Sequence, residues 1–470
     1  MEGVALMAKS GLYTGLDIGT STIKVLVAEY VSGEMNIIGV GNAKSDGLKN
    51  GTIVDIEKVS QAIRKAVNAA EERAGIQIKG LNVAVPANRL EVDACQGMVT
   101  INSETKEVVE SDISQVVSSA LMRGMMPERE IIAVEPKEFT VDGFSGISDP
   151  RGMFGVRLEM KGLVYTGPKT LVHNIRRAVE RAGLIVDNIV IAPLAIAHHV
   201  LNEGEREFGT VVIDLGAGQT TVLAIRDQEL QFAHIIPEGG DYITKDISTV
   251  LNTSLDQADS LKLNYGEAST ARASKDEKFP VSVVGHTEPL EITEYYLSEI
   301  VEARLTQIFS RVRQDLERSR GLNLPGGIVL LGGAAAMPGV AELASEIIGA
   351  NVRLYVPNEM GLRNPTFAQV ISIVDYVGSR SEIQNLVTLA SAGNEIFSEP
   401  VIDTHTAYRE PVVSFSENNF VQTTDETSYV APMSQSNVPT QVKEPKEGLV
   451  DKVRNLFGSM FDCLAIIKLR

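Results

Sequence analysis

One twelve-residue pattern occurs twice in this chain, and it limits the possible folds more than any other feature. The first copy is Gly15-Leu-Asp-Ile-Gly-Thr-Ser-Thr-Ile-Lys-Val-Leu, and the second is Val212-Ile-Asp-Leu-Gly-Ala-Gly-Gln-Thr-Thr-Val-Leu. Asp17 aligns with Asp214, Gly19 with Gly216, and Val25-Leu26 with Val222-Leu223, an offset of 197 residues along the sequence. In each copy an apolar strand delivers a carboxylate to its end, a turn of small and hydroxylated residues follows, and an apolar strand returns. Small residues let backbone N–H groups approach an anion, and hydroxyls add donors. A carboxylate beside a phosphate is useful only with a cation between them. Two such hairpins facing each other therefore suit a magnesium–nucleotide held between Asp17 and Asp214, through water. Lys24 stands where it would neutralise the phosphates.

Taken singly, each hairpin is an ordinary Asp-x-Gly turn. A third element changes the balance. Ile328-Val-Leu-Leu-Gly-Gly-Ala-Ala-Ala-Met-Pro-Gly reads as a buried strand, then residues small enough for a base and ribose to lie on backbone, then a helix. Three such elements in this order are far more specific than any one.

Between the motifs, 11–41 reads as three short strands and 55–74 as a helix with Val59, Ile63 and Val67 on one side and Gly75 as its stop. From about Asn82 to Tyr165 the pattern becomes a small α+β unit with one helix near 112–124. Helix and strand resume at 169–191, and helices rich in charge fill 241–264 and 291–319. The last helical pattern is 366–377. From about Ser379 order fades, and from Glu399 the text is Ser, Thr, Asn, Gln, Pro and Glu with scattered apolar residues, too few to offset the entropy of ordering. The uncharged run Gly321 to Ala341 is interrupted by glycines and prolines and reads as strand, turn and helix rather than a membrane span.

These motifs resemble the actin, Hsp70 and sugar-kinase ATPase superfamily, and within it the FtsA family of bacterial division actins. The resemblance covers about residues 11–380 and the terminal tail. It implies an α/β, actin-like ATPase fold. Two RNase-H-like subdomains flank a nucleotide cleft, with an inserted small α+β subdomain, a disordered linker and a C-terminal amphipathic helix. The implied division places 11–83 and 167–193, with 366–380, in subdomain 1A and 84–166 in the inserted subdomain 1C. It places 194–240 and 320–365 in subdomain 2A, 241–319 in 2B, 381–447 in the linker and 448–470 in a membrane-targeting tail.

The implied ligands are ATP and magnesium. Asp17, Gly19, Thr20, Ser21 and Lys24 match the first phosphate motif, and Asp214, Gly216, Gly218, Gln219 and Thr220 the second. Gly332, Gly333, Ala334 and Ala335 match the adenosine motif. Gly239-Gly240-Asp241 falls at a nucleotide-side turn, and Asp259 and Lys262 on a ribose- or adenine-contacting helix. As residues alone, Asp259 and Lys262 read equally well as an i,i+3 pair on a solvated helix. One departure bears on chemistry. Many superfamily members carry Glu or Gln just before Pro-Leu-Ala to orient the attacking water, and here that residue is Ala192. Tight nucleotide binding with slow hydrolysis at most is the expectation. His198 and His199, about 100° apart on one helix, read as surface or interdomain histidines rather than a metal pair or base.

The resemblance further implies self-association into filaments and binding of the FtsZ C-terminal peptide through 2B. It implies recruitment of later division proteins and a place on the cytoplasmic face of the membrane at the septum. Arg304, Arg311, Arg313 and Arg318 share one helix with Glu302, Asp315 and Glu317, the mark of a solvated face; gripping an acidic peptide is the rarer use. The competing readings are a related actin-like ATPase of pilus assembly or cell shape, and a sugar- or acetate-type kinase. The kinase has no use for a tether ending in an amphipathic helix.

That tail is legible as physics. At 100° per residue, Leu449, Val453, Leu456, Phe457, Met460, Phe461 and Leu464 fall on one side, with Asp451, Lys452, Asn455, Ser459 and Asp462 opposite. From Gly448 onward, Lys452, Arg454, Lys468 and Arg470 outnumber Asp451 and Asp462, whereas the whole chain carries −18. The body repels phosphate backbones, which excludes bulk nucleic-acid binding, while the tail is weakly attracted to anionic lipid. Two cysteines exclude a disulfide framework, and the absence of Trp disfavours a base- or sugar-stacking platform. Residues 1–10 are too short for a secretory leader, and either Met1 or Met7 could start the chain.

Overall fold

The repeated hairpin becomes a repeated sheet. The computed structural model describes residues 11–31, 33–122 and 127–392. The first sheet runs in the spatial order Glu34–Lys44, Thr22–Val31, Gly11–Ile18, Gly80–Val85, Ile185–Ile191. The second runs Glu229–Ile236, Thr220–Arg226, Thr210–Leu215, Ile328–Leu331, Val352–Leu354. In both, the first three strands are antiparallel and the last two join in parallel. Near-continuous burial along Thr22–Val31 and Thr220–Arg226 marks strands covered on both faces, as parallel-type sheets require.

Helices supply the cover. Ile56–Ala74 begins where the Asp55 carboxylate accepts from the Lys58 N–H and ends at Gly75 with φ 70°, and it buries Val59, Ile63, Ala66, Val67 and Ala70. Gly321 to Ala341 folds as a short helical turn, the strand Ile328–Leu331, a second turn at Ala334–Ala336 and the start of the helix Val340–Ile348. Among the described residues no helix is long and apolar enough to cross a membrane.

The insertion forms its own four-stranded antiparallel sheet, ordered Glu91–Thr100, Arg157–Pro168, Arg129–Val141, Phe144–Ile147, with the helix Glu110–Leu121 against it. Its core is not closed by the insertion alone. Residues from 381 on were expected to be linker, but Glu382–Ser391 is a helix, and Ile383, Val387 and Ala390 join Ile113, Val116, Val117, Phe139, Leu158 and Met160 in one apolar cluster. Ser381 caps this helix in a capping box with Gln384. Apolar residues at 383, 386, 387 and 390 carry the helical period, masked in sequence by the Gln, Asn, Thr and Ser around them. Arg151 fastens its start, with Nη2 2.9 Å from Glu382 Oε2 and 2.6 Å from Asp149 Oδ2. Residues 393–470, which include the rest of the expected linker to 447 and the apolar tail from Leu449 to Leu464, lie outside the described residues.

The charged region holds helices Gly240–Leu251, Leu255–Tyr265 and Glu294–Ser319, with a two-stranded pair, Lys278–Val281 and Leu290–Thr293, that the sequence pattern did not show. The arginines of the long helix are engaged within the fold. Arg304 binds both oxygens of Asp246 at 2.5 and 2.9 Å, and Arg311 reaches Glu238 at 2.6 Å. Arg313 pairs with Glu317 and Arg318 with Asp315. Arg304 is thus nearly buried, whereas Arg311, Arg313 and Arg318 keep their pairs at a solvent-facing surface.

Candidate functional site

The two hairpin turns meet across a cleft of about 1480 Å³. In the first hairpin Asp17 and Lys24 are direct cross-strand partners, and Lys24 Nζ donates to Asp17 Oδ2 at 3.1 Å. Both side chains are nearly buried. The pair is thus a product of register: the turn at Gly19 to Ser21 sets which residue faces Asp17. Asp17 Oδ1 accepts a second bond, from Gln369 Nε2 at 2.9 Å.

Asp214 holds the matching place in the second sheet, and among the described residues no lysine or arginine pairs with it. Burial pushes its carboxyl up to about 7, and the nearby Asp17 charge adds to this against a smaller opposing effect of Lys24. A β-carbon on Gly332 would stand 2.5 Å from Asp214 Oδ1, and φ there is 102°, so only glycine lets the third motif lie against this carboxylate. Asp259 and Lys262 are not a solvated pair. Lys262 Nζ donates to Thr244 Oγ1 at 2.6 Å, Asp259 Oδ1 at 2.7 Å and the Gly240 carbonyl at 3.3 Å. Burial opposes the Asp259 charge, but the hydrogen bonds from Lys262 and Thr244 outweigh it and hold the carboxyl below its ordinary value. Burial raises the Asp241 carboxyl.

Asp17, Gly19, Thr20, Ser21, Lys24, Asp214, Gly216, Gly218, Gln219, Gly240, Asp259, Lys262, Gly332, Gly333 and Ala334 all line the cleft. Three expected residues do not. Thr220 is fully buried and donates to the Glu238 carbonyl at 2.7 Å; as the first residue of its strand it points inward, and Thr221 faces the cleft instead. Ala335 is buried behind Ala334, and Gly239 lies against the Gly216 carbonyl, behind the turn. Of the two places expected for His198 and His199, surface or interdomain, the contacts match the second. His199 Nδ1 lies 2.8 Å from Asp375 Oδ2 and His198 Nε2 2.8 Å from Ser379 Oγ, so both tie the helix Ala192–Val200 to Ala368–Ser379.

Several lining residues gave no sequence signal, among them Thr244, Lys245, Met337, Thr366 and Gln369. Ser45 is the most telling. Its N–H donates to the Ser21 carbonyl at 2.9 Å and the residue lines the cleft, yet its hydroxyl is buried and has no partner among the described residues. An orphaned hydroxyl beside the turn suits a phosphate oxygen. Among the described residues no three His, Cys, Asp or Glu side chains are grouped to hold a metal. Two carboxylates are what a magnesium ion needs when phosphate and water supply most of its shell. The residues present therefore fit a magnesium–nucleotide.

Two like sheets, an insertion after the first hairpin and a cleft closed by paired aspartates define the actin-like ATPase fold. The family described as Cell division protein FtsA matches residues 211–372, and the SHS2 domain inserted in FTSA matches residues 87–166. The chain belongs to the FtsA family. It is 52% identical to the cell division protein FtsA of Enterococcus hirae over 456 residues, covering 97% of this chain and 100% of the relative. It is 53% identical to that of Streptococcus pneumoniae over 459 residues with the same coverage, and 33% identical to that of Escherichia coli over 404 residues, covering 82% of this chain and 96% of the relative. A solved PilM-PilN type IV pilus biogenesis complex shares the fold at a TM-score of 0.54 and 18% identity, covering 78% of this chain and 99% of that one.

Proposed function

We propose that this cell-division protein binds Mg-ATP in the cleft, hydrolyses it slowly at most, and assembles into filaments on the membrane that hold FtsZ at the septum. The observation that carries the nucleotide reading is the Asp17–Lys24 pair facing Asp214 across a cleft whose third wall is the glycine backbone at 332–333. When bound, magnesium would screen the phosphates from the two carboxylates and withdraw electrons from the terminal phosphate. Lys24 would meet phosphate oxygens, Ser45 and Thr20 would donate hydroxyls, and Gly332 to Ala334 would support the base and ribose. Slow hydrolysis follows from the helix start at Ala192-Pro193, which lines the cleft without a carboxylate or amide.

The finer roles rest on family membership and on the tail. The insertion would contact the next subunit and later division proteins, and the 241–319 lobe would receive the FtsZ C-terminal peptide. The apolar stripe from Leu449 to Leu464 would enter the cytoplasmic leaflet, where each large side chain is worth at most ~1.5–3 kcal/mol and many tails in one filament act together. Pelleting with anionic vesicles, with and without ATP and FtsZ, tests the whole. Co-pelleting of all three components is expected, with release on Phe457→Glu plus Phe461→Glu. A chain that neither pellets nor responds to nucleotide, yet phosphorylates a small substrate, would overturn the reading.

A further inference from the structure

An amide that belongs to none of the three sequence motifs stands at the first carboxylate. Gln369 opens the helix Ala368–Ser379, lies 352 residues from Asp17 in sequence, and lines the cleft. Its Nε2 donates to Asp17 Oδ1 at 2.9 Å, while Lys24 Nζ takes Oδ2 at 3.1 Å. A carboxylate is acceptor-only, so the amide nitrogen must face Asp17, which turns the Gln369 carbonyl oxygen away from it. No hydrogen bond to that oxygen is made among the described residues.

The placement is rigid. Gly15 and Asp17 lie two residues apart on one strand and so on one face. A β-carbon on Gly15 would sit 2.6 Å from Val374 Cγ2 and 3.3 Å from the Val370 carbonyl. The helix therefore rests directly on the backbone of the strand that carries Asp17. Val370, Ile371, Ile373 and Val374 are fully buried, which holds it there.

We propose that Gln369 is a positioning residue for the metal–nucleotide. Its N–H fixes the plane of the Asp17 carboxylate, and its carbonyl oxygen accepts from a water of the magnesium hydration shell. This inference rests on the Mg-ATP reading of the cleft, and the test separates the two.

The experiment is calorimetric titration of ATP into the full chain over a magnesium series and in EDTA. Wild type is compared with Gln369→Met, which keeps length and helix propensity but loses both polar atoms. Losing one charge-assisted hydrogen bond should raise the magnesium concentration for half-maximal binding by roughly tenfold. ATP affinity in EDTA should stay within twofold. In an Asp17→Asn background, Gln369→Met should add clearly less than the full tenfold, because the part of its effect that runs through the Asp17 carboxylate is gone and only the contact of its carbonyl oxygen with water remains. Equal losses with and without magnesium, or a tenfold loss that persists in the Asp17→Asn background, would assign Gln369 a merely structural role and overturn the proposal. Gln369→Asn, one carbon too short to reach, is read in the same way should the Met variant not fold. A wild-type chain that binds no ATP under any condition refutes the cleft reading itself; wild-type binding with an unchanged variant refutes only the role of Gln369.

Discussion

Replacing Ile383 and Val387 by alanine should loosen the inserted sheet and leave the nucleotide cleft intact. Val387 is fully buried and Ile383 is 6% exposed, and both face Val116, Val117 and Phe139 in the core of the insertion. An Ile→Ala change in a core costs about 2–5 kcal/mol, and the smaller Val→Ala change somewhat less. The two sites share one cluster, so the cavities merge and the costs do not simply add. A total of about 3–6 kcal/mol is a large fraction of the ~5–15 kcal/mol that holds a domain folded. The loss should appear as local opening rather than global unfolding, because the apolar cluster closed by Ile383 and Val387 is separate from those of the Asp17 and Asp214 sheets, which the insertion meets at its other end through Ile132, Leu163 and Tyr165. Hydrogen exchange resolved by segment is the assay. Protection should fall by orders of magnitude in Glu110–Leu121 and Arg129–Val141, with little change in Thr22–Val31 and Thr210–Leu215. Unchanged protection in the insertion would refute the claim that the last helix closes its core. A uniform loss across all sheets would refute the claim that the insertion is a separate cooperative unit.

Three further outcomes follow from the cleft. Lys24→Ala should destabilise the ligand-free chain by about 3–5 kcal/mol because it strands a buried Asp17 charge, and Lys24→Met with Asp17→Asn should restore most of it by thermal melting. The Asp214 carboxyl sits at about 7, against an unfolded value near ~3.9, so the folded state binds the extra proton between these values. The contribution of Asp214 to the stability of the ligand-free chain should therefore fall as pH rises from about 4 to 7 and level off above it. Asp214→Asn should flatten that slope, and melting curves at stepped pH check both. Gly332→Ala combines a φ of 102° with a clash on Asp214; it should cost at least about 1–3 kcal/mol and weaken ATP binding, and wild-type affinity in calorimetry would contradict the close approach.

The paired hairpins, their aspartates and the strand–glycine–helix motif were legible because each is local. A period of two, a turn of small residues and a charged residue at a strand end lie within about twelve positions, and register follows from the turn. That is how Lys24 could be placed near the phosphates, although its tie to Asp17 needed the observed pairing. Thr220 and Ala335 were misplaced because a motif names a stretch, and the direction of each side chain within it depends on where the strand or turn begins. The helix Glu382–Ser391 was missed for a different reason: its polar composition hides a four-residue apolar face that has meaning only beside Val116 and Phe139.

The duplicated half, the cleft's two carboxylates and the charge contrast between body and tail are readable from the residues alone, since all of these are properties of short segments or of sums. Long-range packing is what brings Gln369 to Asp17, leaves the Ser45 hydroxyl without a partner among the described residues, and sets the last described helix into the core of the insertion. These contacts join residues tens to hundreds of positions apart. Nothing in either local pattern encodes the partner, and the packing of a helix onto Gly15 chooses it.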